Sequence, residues 1–239
     1  MPAIPILAHR IAALDWPLLA ERLDADGHAV IPGLLDKAQC EALRALYDQD
    51  EPFRSRVIMA RHNFGLGEYR YFAYPLPALL QALRGAFYPP LRAIANCWHE
   101  RMGTGIHYPP EHAGFLARCH AAGQRRPTSL LLRYRAGDYN CLHQDLYGEL
   151  AFPLQVAILL SQPGEEFEGG EFVLTEQRPR MQSRVAVVPL RQGDAVVFAV
   201  AQRPVRGVRG YHRVNLRHGV SRLHTGERFT LGVIFHDAL

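Results

Sequence analysis

His143-Gln144-Asp145 follows a strand candidate, Ser129 to Tyr134. Alternate residues of an extended segment point to the same side, so His143 and Asp145 can meet at one ion across about 7 Å of backbone. A neutral imidazole beside a hard carboxylate suits ferrous iron, and a second histidine would complete a facial set with three positions left open. Alone the pair says little: with twelve histidines in 239 residues, roughly half an H-x-D is expected by chance, so the motif needs context.

The segment from Arg217 to Thr230 supplies that context. It reads as a hairpin, with His224-Thr225-Gly226 as a three-residue loop and Gly226 in the left-handed position such loops require. Leu223 then faces Glu227, Arg222 faces Arg228 and His218 faces Gly232. Counting by twos puts His218, Val220, Arg222, Arg228, Thr230, Gly232 and Ile234 on one face, with Phe229, Leu231, Val233 and Phe235 on the other. Arg228 stands four residues along from His218, about 13 Å at ~3.3 Å per residue. That gap accommodates a five-carbon dicarboxylate, one end on a metal held by His218 and the other on the guanidinium. A guanidinium fork binds a carboxylate through two parallel bonds. Thr230 could add a hydroxyl to the same carboxylate, and Gly232 leaves room beside the ion. The register rests on one turn type, and a slip of one residue would reverse every side chain.

Strands must carry these groups, and the second half of the chain provides them. Ser129–Tyr134, Pro153–Leu160, Gly170–Thr175, Arg184–Pro189, Ala195–Ala199, Val214–Leu223 and Arg228–Phe235 are short strand candidates separated by Gly- and Pro-bearing turns. This spacing indicates a sandwich or barrel. The first half reads as helices with a few strands. Asp15-Trp16-Pro17 opens a helix ending near Gly27, and His28 to Leu34 is extended. Asp36 and Gln39 form a capping box for a helix to about Asp48, and Arg56–Ala60 and Glu68–Ala73 read as strands. Pro75 and Pro77 introduce a helix that Pro89-Pro90 interrupts before a second segment reaches Met102. Residues 103–127, rich in Gly, Pro, His and Arg, lack periodicity and read as a long loop. The expected fold is mainly β with helices (α+β): residues 1–127 an elaboration packed on a core at 128–239, in one compact unit.

Hydrophobic residues make up 48% and charged residues 21% of the chain, which excludes collagen, coiled coil and wholesale disorder. No apolar run approaches the ~18–20 residues of a membrane span. The opening Met1 to Ala8 lacks a basic n-region, so the expectation is a cytoplasmic protein without a signal peptide. Cys40, Cys97, Cys119 and Cys141 form no C-x-x-C pair and read as buried or inert thiols. Net charge is +4, yet residues 178–228 hold eleven arginines against Asp194 and Glu227. That local excess of +9 favours an anionic partner such as nucleic acid. The bland account is an arginine-biased composition, since Lys37 is the only lysine.

The C-terminal ~110 residues resemble the 2-oxoglutarate- and Fe(II)-dependent dioxygenases, whose core is a double-stranded β-helix (jelly roll). The matching features are His143-x-Asp145, His218 and, ten residues beyond it, Arg228. Phe167-Glu-Gly-Gly-Glu-Phe172 and the Gly193–Phe198 bend are similar to prolyl-hydroxylase-like members. The resemblance implies that His143, Asp145 and His218 ligate iron and that Arg228 holds the C5 carboxylate of 2-oxoglutarate, with O2 as oxidant. Arg133-Tyr134-x-x-Gly137 followed by Leu142-His143-Gln144-Asp145 is similar to the AlkB-type demethylases of alkylated nucleic acid, which implies that Tyr134 bonds 2-oxoglutarate. Two departures from that pattern are Leu132 where the family has asparagine, and an arginine closer to the distal histidine. Phe53-Arg54 and Phe64 to Tyr71 resemble a bacterial oxygenase family regarded as acting on damaged DNA.

The expected activity is oxidation of a C–H bond with release of succinate and CO2. The first substrate expected is N-methylated nucleic acid, demethylated in the course of DNA repair. Hydroxylation of a prolyl or other protein side chain is the alternative, and a cupin-like metal protein without oxygenase activity a third. Asn140, Tyr147 and Arg222 are candidates to touch substrate near the mouth. Tyr69, Tyr71, Tyr108 and Trp98 are candidates to stack on a base, with core packing as the plainer role. His107, His112 and His120 read as lid or surface, and His212, His224 and His236 as structural.

Overall fold

The computed structural model describes residues 3–239. Met1 and Pro2, at the head of the segment read as lacking a signal peptide, lie outside the described residues. In chain order, α1 (Ala3–Ala12) and α2 (Trp16–Asp26) lead to β1 (His28–Ile31) and α3 (Lys37–Ala45). β2 (Phe53–Ile58), β3 (Gly65–Leu66) and β4 (Glu68–Phe72) precede α4 (Ala78–Arg101) and α5 (His112–Ala121). Then come β5 (Arg126–Pro127), β6 (Leu130–Arg135), β7 (Tyr139–His143), β8 (Leu154–Leu159), β9 (Phe167–Gly169) and β10 (Phe172–Gln177). The last six are β11 (Arg184–Val188), β12 (Ala195–Ala199), β13 (Gln202–Gly207), β14 (Gly210–Val220), β15 (Leu223–Val233) and β16 (Asp237–Ala238).

Two large antiparallel sheets form the jelly roll. One has the order β1-β12-β8-β15-β6-β4-β2, with β9 added on β15; the other runs β11-β10-β14-β7-β3, with β13 added on β14. The first 127 residues supply strands to both, β1 pairing with β12 and β3 with β7. Alternation explains the composition of β8. Gln155, Ala157 and Leu159 point to the interior between the sheets, while Leu154, Val156 and Ile158 pack outward with Leu83, Phe87, Leu91 and Trp98 of α4. A strand buried on both faces reads as a nearly continuous apolar run. Each such side chain, taken from water, contributes roughly 1.5–3 kcal/mol. Phe229, Leu231, Val233 and Phe235 join the helix-side core, as the two-residue count requires. Asp36 and Gln39 form the expected reciprocal cap. Among the described residues no helix is long and apolar enough to cross a membrane.

The structure corrects three expectations. α4 runs unbroken through Pro89 and Pro90; burial of Phe87, Tyr88, Leu91, Ile94 and Ala95 around them outweighs the two missing amide donors. Residues 103–127 are not all loop. α5 buries His112, Phe115 and Cys119, a helical spacing hidden because two of its three inward residues are not ordinary apolar types. The hairpin at 224–226 does not exist: β14 and β15 belong to different sheets and the chain crosses between them after Val220. Thr225 and Gly226 instead pair with β9, where Glu168 and Phe167 face them. A Cβ on Gly226, at φ +77, would meet the Glu166 carbonyl oxygen at 1.9 Å, so the glycine serves close strand approach. The two-residue alternation survives the crossover, because the inward faces of two facing sheets look at the same interior. β7 and β13 are strands that the sequence pattern did not single out.

Two histidines seal the C-terminal end of the sheet against the helices. The His112 Nε2–H donates to the Phe235 carbonyl at 2.7 Å, and His236 Nδ1 accepts from the Phe152 amide at 3.2 Å. Burial pushes each imidazole down from 6.5 to about 4. A depressed folded value means that the unfolded chain takes up protons first. Stability is therefore full above pH 6.5 and falls as pH drops toward 4, by on the order of 3 kcal/mol per histidine. Urea unfolding across this window is expected to show that loss. His112→Gln, which does not titrate, is expected to flatten the slope.

Candidate active site

His143 closes β7 and Asp145 follows it, while His218 lies near the end of β14. Register brings them together, since β14 pairs with β7 and His218 faces His143 directly. His143 Nε2 is 3.4 Å from Asp145 Oδ1, and His218 Nε2 is 3.3 Å from Oδ2. One donor atom from each of the three residues lies within 4.8 Å of the others, a set that can hold one metal ion. The His143 Nδ1–H donates to the Cys141 carbonyl at 2.8 Å, which turns Nε2 toward the centre. The Tyr147 hydroxyl donates to Asp145 Oδ1 at 2.7 Å.

Asp145 and His218 are each 6% exposed. Burial opposes ionisation of Asp145, but bonds from His143 and His218 outweigh it and hold the carboxyl well below its usual range. Burial, then repulsion from His143, pushes His218 down and keeps it neutral. The centre thus offers a carboxylate with a neutral imidazole, a set suited to a hard-to-intermediate divalent ion.

All three line one cavity of about 290 Å³ between the sheets, and so do Arg228, Thr230, Gly232, Tyr134 and Asn140. Arg228 is 2% exposed, and its Nη1 donates to Thr230 Oγ1 at 2.7 Å. Its Nε has no partner and its guanidinium no carboxylate within 4.0 Å among the described residues. Burial lowers its pKa to about 10, which still leaves it charged at neutral pH. A buried cation with no carboxylate in contact, facing a cavity, is a receptor for an anion. The guanidinium carbon lies 5.7 Å from the Tyr134 ring centre, and Asn140 Nδ2 donates to the Tyr134 hydroxyl at 3.2 Å.

Of the other sequence candidates, Tyr147 and Tyr69 both line the cavity. Arg222 is exposed and lies outside the cavity lining. The crossover after Val220 carries it to the surface. Tyr108 and Trp98 are core residues, and His120 bonds Asp237 at the far end of α5. Among the thiols, Cys40 and Cys119 are buried whereas Cys141 is exposed. The arginine run does not form one continuous face. Arg228 is inside the cavity, Arg203 is buried on Glu176, and Arg178 and Arg184 share that same carboxylate. Arg180, Arg191, Arg206, Arg209, Arg213, Arg217 and Arg222 remain exposed. Sequence reasoning passed over Phe64, Leu142, Gln155 and Phe198, which also line the cavity. Gln155 carried a signal, being the one polar residue in an apolar strand.

The sequence profile of a family described as "oxygenase, catalysing oxidative methylation of damaged DNA" matches residues 67–238. The chain belongs to this oxygenase family. A relative in two strains of Mycobacterium tuberculosis, described as an uncharacterized protein, is 50% identical over 167 residues, 70% of this chain and 72% of the relative. A prolyl-4-hydroxylase from Pseudomonas putida superposes with a TM-score of 0.54 at 14% identity, over 94% of this chain and 99% of that one. An oxidoreductase of the 2-oxoglutarate–Fe(II) oxygenase family from Burkholderia pseudomallei gives 0.55 at 18% identity, over 95% and 94% of the two chains. The oxygenase therefore has the jelly-roll fold of these enzymes, and its donor set and buried guanidinium fit Fe(II), 2-oxoglutarate and O2.

Removing the uncompensated charge is expected to stabilise the free oxygenase. Arg228→Met should raise its stability by about 1–4 kcal/mol, the range seen when buried ionic groups become apolar. The same variant should lose the stabilisation that added 2-oxoglutarate gives the parent. Thermal melts with and without the keto acid check both outcomes.

Proposed function

We propose that the oxygenase couples oxidative decarboxylation of 2-oxoglutarate to hydroxylation of N-alkyl groups on nucleic acid bases. The residues carrying the reaction belong mainly to the unit 128–239, with 1–127 packed on it. The observation that carries the co-substrate reading is the buried, unpaired Arg228 guanidinium sharing one cavity with three converging metal donors. His143, Asp145 and His218 hold Fe(II), and Arg228, Thr230 and Tyr134 hold the distal carboxylate of 2-oxoglutarate. Bound Fe(II) supplies the activation of O2 that joins succinate and CO2 formation to C–H oxidation. The chain's own work is to fix the keto acid by its far end, keep the donors in one protonation state and exclude bulk water.

The family description supports a nucleic acid substrate. A hydroxylated N-methyl carbon leaves as formaldehyde and restores the unalkylated nitrogen of the base. Because the cavity lies between two sheets, a base has to leave its stack or arrive single-stranded to reach it. Exposed arginines of the 178–228 segment would meet phosphates, so binding should weaken with salt by a log–log slope of about −0.7 per phosphate neutralised on a single strand.

The test is anaerobic loading with Fe(II) and 2-oxoglutarate, then succinate release on admitting air with methylated single-stranded DNA, duplex, RNA or short peptides. Methylated DNA is expected to stimulate succinate and formaldehyde in equal amounts. Stimulation by peptides alone would move the assignment to protein side-chain hydroxylation. Asp145→Ala is expected to bring succinate release to background while leaving the circular dichroism spectrum unchanged. Undiminished turnover would overturn the ligand set.

A further inference from the structure

The sheet β11-β10-β14-β7-β3, with β13 on β14, turns one face to the cavity and the other to solvent. Its strands contain a single acid, Glu176, which points inward and is buried against Arg203. On β14 the buried Val214, Leu216 and His218 face the interior. Tyr211, Arg213, Asn215 and Arg217 therefore face out, and all four are exposed. Arg206 of β13 stands opposite Tyr211 and is exposed too. Arg213 and Arg217 are four residues apart, about 13 Å, and Arg206 lies about 7 Å beyond Arg213 at ~3.3 Å per residue. The Arg213 Nη2 donates to the Met102 carbonyl at 3.0 Å, which fixes the middle of the row. None of the three has a carboxylate within 4.0 Å among the described residues, whereas Arg56, Arg70, Arg101 and Arg133 each have one. An arginine-rich composition supplies the cations; it does not supply a sheet face without acids.

Beside this row the face turns apolar. Thr175 of β10 pairs with Arg217 on one side and with Val185 of β11 on the other, and Val173 likewise pairs with Gly219 and Val187. Each line crosses two strand spacings, about 10 Å, from β14 to the edge. Val185 and Val187 are 59% and 58% exposed, unusual for two valines on one open face. We propose that this face is a track for the single strand of nucleic acid flanking the target nucleotide; this rests on the nucleic acid reading above. Phosphates lie on Arg217, Arg213 and Arg206, and bases lie over Val173, Val185 and Val187. A two-residue step along a strand is close to the spacing of successive phosphates in an extended single strand, so one row of cations follows one backbone. A duplex would turn its bases to each other and leave the valines bare. The track also borders the site. β7 lies beside β14, with His143 facing His218, and Leu142 of β7 is exposed at the rim of the cavity. Glu171 stands beyond Gly219, where the Ser221 hydroxyl donates to it, so the cationic stretch begins at Arg217.

The probe is unmethylated oligothymidylate, followed by fluorescence anisotropy across a salt series on the full chain with Mn(II) and 2-oxoglutarate. Arg206→Gln combined with Arg217→Gln leaves the Arg213–Met102 bond in place. This variant is expected to bind about tenfold to thirtyfold more weakly near ~0.1 M salt, with a log–log slope shallower by about 1.4, the share of two phosphates on a single strand. Arg22→Gln combined with Arg118→Gln removes the same charge from α2 and α5, and should alter binding by less than about twofold. Val185→Ser with Val187→Ser should weaken binding severalfold and leave the salt slope unchanged. The parent should hold the single strand more tightly than a duplex of equal length. Equal losses in the two arginine variants would reduce the effect to net charge and overturn the proposal. A preference for duplex, or valine variants that bind as the parent does, would overturn it as well. If methylated oligonucleotides are turned over with a KM that Arg206→Gln and Arg217→Gln do not move, the track falls and the nucleic acid reading stands. If no oligonucleotide binds or is turned over, both fall.

Discussion

An arginine and an aspartate are buried in one cavity of this chain and do not pair with each other. Everything else in the architecture is compatible with that arrangement or required by it. Left to themselves, opposite charges in a low-dielectric interior would close on one another, since their attraction there far exceeds its value in water. What keeps Arg228 and Asp145 apart is that they come from different sheets, each rigid and each packed from outside. Asp145 is held by two imidazoles and the Tyr147 hydroxyl, while Arg228 has only Thr230. The asymmetry leaves one end of the cavity satisfied and the other short of an anion.

Holding two sheets at a fixed separation over a polar interior takes stability from elsewhere in the molecule. The apolar side of β8 and β15 packs on α4, whose inward residues include Leu83, Phe87, Leu91 and Trp98. At the C-terminus the buried Arg84–Asp237 pair joins α4 to the last strand, with Tyr74 and His120 completing the carboxylate's bonds. These buried charges are fully partnered, in contrast to those of the cavity. A paired ion is costly to break and weakly stabilising to keep, so its value here is in fixing where the helix sits. The helical layer therefore acts on the site indirectly, by making the sheets too stiff to collapse onto each other.

The sequence disclosed the site better than it disclosed the scaffold, and the reason is periodicity. His143 and Asp145, like His218, Arg228 and Thr230, are separated by even numbers, and a two-residue repeat is the one regularity a strand imposes whatever its partners. The inward set was legible for that reason even though the hairpin thought to join its halves is absent. Strand pairing is set by long-range packing, which left no local trace at Val220–Leu223 beyond a glycine at 226 whose role was mistaken. α5 was missed because His112 and Cys119 occupy core positions, and the break at Pro89-Pro90 because burial overrode propensity.

Seven buried side-chain atoms lack partners among the described residues, and Gln155 Oε1, His218 Nδ1 and Arg228 Nε belong to the cavity. In a well-packed protein such groups are few and each has a reason. Their concentration here has a direction as well as a location. Arg228 lacks an acceptor, and the metal donors line the same cavity. A dicarboxylate seated on Arg228 shares its cavity with the metal donors and with an apolar entrance, the arrangement an oxygenase needs when it oxidises a co-substrate and a substrate at the same metal. The unpaired groups are thus a negative image of the ternary complex, held ready by a frame that gains nothing from them in the free state.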